Sequence, residues 1–172
     1  MSCILSNGYT LPCKDGHAGI KVCYIGTFNE DQTYQLDDDD QIIGLTGSTA
    51  SYVDYYTFEQ ELETAELKET PGYENNNVYY TQNLVLTFYK NSKELRNMFL
   101  VLNQAPLSVI IEDHYGEYWL LGADNGLRAT AGERSHGKAF SDMNGFTITL
   151  TGKESKSYYP ITAAGIADFN IT

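Results

Sequence analysis

Long apolar runs are missing from this chain: no stretch approaches the roughly 18 consecutive apolar residues that span a bilayer. Its first residues, MSCILSNGY, hold neither a basic region nor an extended apolar stretch, so no secretory leader is expected. A cytoplasmic site of synthesis follows as the default. Basic residues are scarce, with 11 Lys and Arg against 23 Asp and Glu and a net charge of -12. That balance argues against gripping nucleic acid by its phosphates, which takes Lys and Arg to displace counterions. It equally disfavours an anionic membrane surface, so no membrane partner is expected.

Catalytic and metal-binding signals are thin as well. The three cysteines, Cys3, Cys13 and Cys23, are spaced ten residues apart with His17 among them. Structural zinc sites bring ligands in close pairs, and an odd cysteine count fits a disulfide framework poorly, so free thiols are the simpler reading. The chain has no nucleophile elbow, phosphate loop or dinucleotide fingerprint. Asp113 and His114 are neighbours in sequence and point to opposite faces of a strand, while Ser135-His136 lacks an orienting acid. The expectation is a protein that is not an enzyme and carries no cofactor or metal.

What is present is a core-forming composition, 42% hydrophobic, with 14 tyrosines that suit half-buried pleated surfaces. The residues up to about 18 are punctuated by Gly8, Pro12 and Gly16 and read as an arm, with a short strand near Cys3 to Leu5. Alternation predicts strands over GIKVCYIGTF from Gly19 and over Ile42 to Gly47. Between them, Asp37, Asp38, Asp39 and Asp40 lack the spaced ligands and central glycine of a calcium loop and read as a solvated turn.

Residues 54–70 and 78–90 predict the two limbs of a long hairpin, with Pro71-Gly72 and Asn75 to Asn77 as its turn. Limbs of about 40 Å, at roughly 3.3 Å per residue, outrun one small domain and invite a neighbouring subunit. Helix is predicted over about 92–104: Asn91 or Ser92 caps it, and Leu95, Met98, Phe99 and Leu102 line one face. Val109 to Ile111 and Tyr118 to Leu121 form a strand pair around the turn Asp113 to Gly116. Strands follow at 127–131 and 146–152, joined by a glycine-studded loop. The whole reads as one mainly β domain, residues 1–172, with one helix.

The ordered set VYYTQNLVLTFYKNSKELRNMFLVLNQAPLSVIIEDHYGEYWLLGADNGL and GKAFSDMNGFTITLTGKES resembles the tail-tube-like structural proteins of tailed bacteriophages, especially of gut Bacteroides-type hosts. The first 50 residues carry no part of the likeness. The resemblance implies a β-sandwich or small barrel flanked by one helix, with a long hairpin arm at about 54–90. It also implies a symmetric homo-oligomeric ring in the virion, at the tail or head-to-tail junction. Such a ring contacts neighbouring tail or portal-proximal proteins and passes DNA without sequence-specific binding. An anionic duct wall repels DNA rather than holding it. Asp37, Asp38, Asp39, Asp40, Glu59, Glu61, Glu63, Glu66 and Glu69 are therefore candidate lumen or subunit-contact residues. The competing reading is a monomeric carbohydrate-binding β-sandwich, with its tyrosines and the strand around Trp119 as stacking platforms. A third, a small hydrolase, needs a pocket around His114 or His136.

Overall fold

Alternation of apolar and polar residues, and not helix propensity, governs most of this chain, and the outcome is a mainly β architecture. The structure, a computed structural model, describes Gly8, Tyr9 and residues 18–172. The expected strand at Cys3 to Leu5, most of the arm, Cys3, Cys13 and His17 lie outside the described residues. In chain order the elements are β1 (Ile20–Thr27), β2 (Thr33–Leu36), β3 (Ile42–Thr46), β4 (Asp54–Glu59), β5 (Glu66–Glu74), β6 (Asn77–Tyr89) and α1 (Lys93–Gln104). There follow β7 (Leu107–Asp113), β8 (Tyr118–Leu121), β9 (Arg128–Ser135), β10 (Gly145–Glu154), β11 (Tyr159–Ile161) and β12 (Asn170–Ile171).

The strands form an eight-stranded sheet in the order β12-β4-β1-β7-β8-β11-β3-β2 and a four-stranded sheet in the order β5-β6-β10-β9. The larger sheet curls until its ends approach each other. The buried Gln32 accepts from Val53 N at 2.6 Å and donates to Tyr34 Oη at 3.0 Å, and Phe169 stacks on Tyr34. This is the sandwich or small-barrel class with one helix that the sequence predicts.

Strand β7 explains why there are two cores. Its residues from Leu107 to Glu112 are all buried, which calls for apolar side chains on both faces. Leu107, Val109 and Ile111 enter the larger core between the sheets, beside Leu84, Leu86, Phe146, Ile148 and Leu150. Ile110 enters the smaller core inside the curl, with Ile42, Tyr55, Leu120 and Phe169. There the Tyr55 hydroxyl meets Ser108 Oγ at 2.9 Å, so neither is left unsatisfied. Helix α1 starts at Ser92, whose Oγ accepts from Leu95 N at 3.1 Å. It lays Leu95, Met98, Phe99 and Leu102 on the larger core, the face its spacing predicts. Phe99 meets Phe146 edge-on at 4.6 Å.

Three expectations need correction. The stretch 54–70 is not one limb: β4 pairs with β1 in the curled sheet, and β5 starts afresh in the other sheet. A turn at Glu61–Thr64 separates them, with Thr64 N bonded to Glu61 O and Glu63 at a φ of 64°. The hairpin is therefore β5–β6, and its first limb is shorter than expected. Its turn is Asn75-Asn76 alone, with φ of 49° and 63°, values that asparagine tolerates in a two-residue hairpin turn. Pro71 and Gly72 lie inside β5, pairing with Tyr80 and Tyr79. Proline is tolerated because β5 is an edge strand, and Gly72 is required because the ring of Tyr79 lies across it. Finally, the polar stretch before the aspartates contains β2, and β9 runs on to Ser135 through residues assigned to a loop.

Candidate assembly surface

The β5–β6 hairpin outruns its own sheet. Strand β10 ends at Glu154 opposite Tyr80, so among the described residues the hairpin from Pro71 to Tyr79 pairs only with itself. On its core-facing side Leu67 pairs with Leu84, Glu69 with Gln82, Pro71 with Tyr80 and Tyr73 with Val78. The apolar stripe thus continues past the core, and Tyr73 and Val78 remain 75% and 50% exposed.

A polar seal marks where the core stops. Gln82 is buried, accepts from Gly122 N at 3.0 Å and donates to Glu69 Oε1 at 3.3 Å. Glu69 also accepts from Tyr158 N and Ser157 Oγ. Beside it the buried Glu154 accepts from Asp124 N at 2.9 Å and Asn125 N at 3.2 Å. Burial holds the Glu154 carboxyl above its ordinary value, with the Asp124 charge adding to the shift and the two N–H bonds opposing it.

Both edges of the four-stranded sheet are open among the described residues. Strand β5 carries Lys68 and Pro71, features that blunt an edge. Strand β9 is exposed over most of its length and has only Ala129, Thr130, Ala131 and Gly132 at its centre. The outer face mixes threonine hydroxyls and an amide with charges of both signs. Thr81, Asn83 and Thr87 on β6 lie opposite Lys153, Thr151 and Thr147 on β10, and Arg128 and Glu133 on β9 lie opposite Thr151 and Thr147. Glu66 and Lys68 project from β5 beside them and pair with each other at 2.9 Å.

The nine candidate acids do not share one surface. Asp37 to Asp40 make the β2–β3 turn, where Asp37 Oδ1 accepts from Asp39 N and Gln41 N. Asp40 pairs with Lys156 at 3.2 Å. Glu59, Glu61 and Glu63 lie exposed at the end of β4 and in the crossing to β5. Glu66 and Glu69, three apart on a strand, point to opposite faces, and Glu69 is taken up in the seal. Sequence reasoning missed that role for Glu69, although Gln82, the polar exception on its own face of β6, was the available signal.

The histidines and Trp119 are also placed. Asp113 is occupied structurally: Oδ1 accepts from Tyr115 N and Glu117 N, and Oδ2 accepts from Trp119 Nε1 at 3.2 Å. His114 is exposed in that turn, and His136 is exposed in the β9–β10 connection, where Ser135 Oγ accepts from Gly137 N. Trp119 is half-buried against the larger core and meets Tyr158 edge-on at 5.4 Å, so its indole is held on two sides. It nevertheless lines, with Leu67, Ile111 and Tyr158, a groove of about 1030 Å³. Cys23 is fully buried, and burial pushes its thiol up to about 12. Among the described residues, no three His, Cys, Asp or Glu side chains are grouped to hold a metal ion. No described helix is long and apolar enough to cross a membrane.

Comparison with protein-family models, with curated proteins and with solved structures returned no match in any of the three.

Proposed function

We propose that this chain is a structural protein of a bacteriophage virion, forming a symmetric ring of the tail or head-to-tail connector around a DNA duct. The observation that carries the reading is the four-stranded sheet, which is open at both edges and overhung by its own hairpin. Two different open edges on one subunit form a heterologous pair. The part of β5 ahead of Pro71, which itself has no N–H to donate, adds to β9 of the next copy, and repetition closes a ring when the rotation permits. The outer face of that sheet suits a duct wall, because threonine hydroxyls and the Asn83 amide lie among charges of both signs and Lys68 is already paired with Glu66, which limits its grip on phosphates. The exposed acids Asp38, Asp39, Glu59, Glu61 and Glu63 keep the assembled surface anionic around it. The likeness of residues 78–127 and 137–155 to tail-tube-like proteins supports the same reading.

Native mass measurement with negative-stain microscopy across concentrations tests it. Closed rings or stacked tubes are the expected result. A chain that remains monomeric at every concentration and is captured by a glycan array would replace the proposal with the carbohydrate-binding one. In assembled particles, changing the exposed acids to lysine should slow DNA ejection. Unchanged ejection from correctly built particles would remove the acids from the duct.

A further inference from the structure

The connection between β9 and β10, residues 136–144, presents an apolar knob. Phe140 at its tip is fully exposed. The loop around it is built, not slack. Asp142 Oδ2 accepts from Lys138 N at 2.8 Å and Ala139 N at 2.6 Å, and Asp142 N donates to Ala139 O. Those two bonds to the carboxylate hold the Asp142 carboxyl below its ordinary range. Asn91 Nδ2 anchors the far side on Asn144 Oδ1 at 2.6 Å. Lys138 beside the knob has no acid within ion-pair distance among the described residues.

At the other end of β10 lies a matching hollow of about 610 Å³. Val78 and Tyr80 of the hairpin overhang form one wall, Tyr159 and Pro160 the opposite one, and Asp39 stands at the rim. Asp40 is engaged by Lys156, whereas Asp39 has no ion-pair partner among the described residues. The hollow lies on the continuation of the core stripe, where no described strand forms a second layer over this sheet.

We propose that Phe140 of one copy seats in the Val78–Tyr80–Tyr159 hollow of a second copy, with Lys138 facing Asp39. Knob and hollow sit at opposite ends of the ten-residue β10, roughly 33 Å apart at about 3.3 Å per residue. The contact is therefore head-to-tail along the strand direction. Repetition of such a heterologous contact propagates a stack when its rotation does not close, in a direction different from the β5–β9 joint. An aromatic anchor in an apolar hollow with a charged pair at its rim is the usual anatomy of an interface hot spot. The inference rests on the self-assembly proposed above, and it specifies ring-on-ring contact where that reading specifies subunits within a ring.

Disulfide trapping between two full-length chains tests it directly, in a background with Cys3→Ser and Cys13→Ser. A chain carrying Ala139→Cys is mixed with one carrying Val78→Cys, and the mixed disulfide is measured by mass spectrometry. The expected yield exceeds that of a control pair, Ala139→Cys with Leu62→Cys, by on the order of tenfold, because docking raises the local thiol concentration. Adding Phe140→Ala to the first chain should bring the yield down to the control. Lys138→Glu should lower it, and Asp39→Lys in the partner should restore it. A yield equal to the control, or one indifferent to Phe140→Ala, overturns the contact and assigns the hollow to another occupant. Rings without the 139–78 link would sink this inference and leave the ring reading standing; the link without closed rings would do the reverse.

Discussion

Strand β6 contains two regions with one pattern and two fates. From Gln82 to Phe88 every second side chain is buried, and beyond Gln82 the same face continues with Tyr80, only half-buried, and Val78, which is exposed. The periodicity is identical; what changes is the layer above it. Over Leu84 and Leu86 lie Val109, Ile111 and Leu121, whereas beyond Gln82 no described strand covers the face. Alternation therefore reports which face a residue occupies, and coverage of that face depends on elements far away in sequence, or on another molecule.

The sharpest way to break this comparison is to remove the same kind of side chain from both halves. Leu86→Ala in the fully buried half should cost about 2–5 kcal/mol in urea unfolding, since it loses transfer energy and leaves a cavity. Val78→Ala in the isolated subunit should change stability by no more than about 0.5 kcal/mol. Comparable losses at the two positions would mean that the overhang is packed in solution and that the two halves do not differ.

The boundary itself comes next. Gln82 satisfies the backbone N–H of Gly122 and orients Glu69, which in turn receives Tyr158 N and Ser157 Oγ. Gln82→Leu keeps the volume and removes the acceptor, leaving a buried N–H unpaired. The expected cost is about 1–3 kcal/mol, with faster hydrogen exchange at Gly122. An unchanged exchange rate there would show that the seal is not what ends the core.

Much of this was legible beforehand, and the failures share a cause. The cap at Ser92, the helix face from Leu95 to Leu102 and the strand pair around Asp113 are set by residues within a few positions of each other, so sequence alone exposes them. Residues 54–70 misled because strand propensity carries no information on which sheet a strand joins; only the local turn at Glu61–Thr64 separates β4 from β5. Pro71-Gly72 read as a turn because both residues favour one, yet an edge position and the ring of Tyr79 make each acceptable within a strand. The candidate acids were grouped by proximity in sequence. Strand geometry then divided Glu66 from Glu69, and a turn tied down Asp37, neither of which a count of charge reveals. The Phe140 knob and its hollow lie at opposite ends of one strand, and their chemical match becomes visible only once that strand is placed.

The smallest effect sits at the end of β10, where Glu154 faces both halves of the comparison. Its carboxyl is held above the ordinary 4.5 chiefly by burial, reinforced by the charge of Asp124 and opposed by the N–H groups of Asp124 and Asn125. A carboxyl whose pKa rises on folding favours the fold most when protonated. Its contribution is therefore fully present below the unfolded-state value and is lost as pH rises through the folded one. Glu154→Gln removes this titration without changing the side-chain size. The stability of the natural chain relative to the variant should thus decline as pH climbs from about 4 and level off once Glu154 is ionised. Unfolding titrations of both chains over that range read the difference directly. An upward slope would mean that the two backbone N–H groups outweigh burial, making the ionised carboxylate a clamp on the 122–126 turn rather than a cost carried at the edge of the covered core.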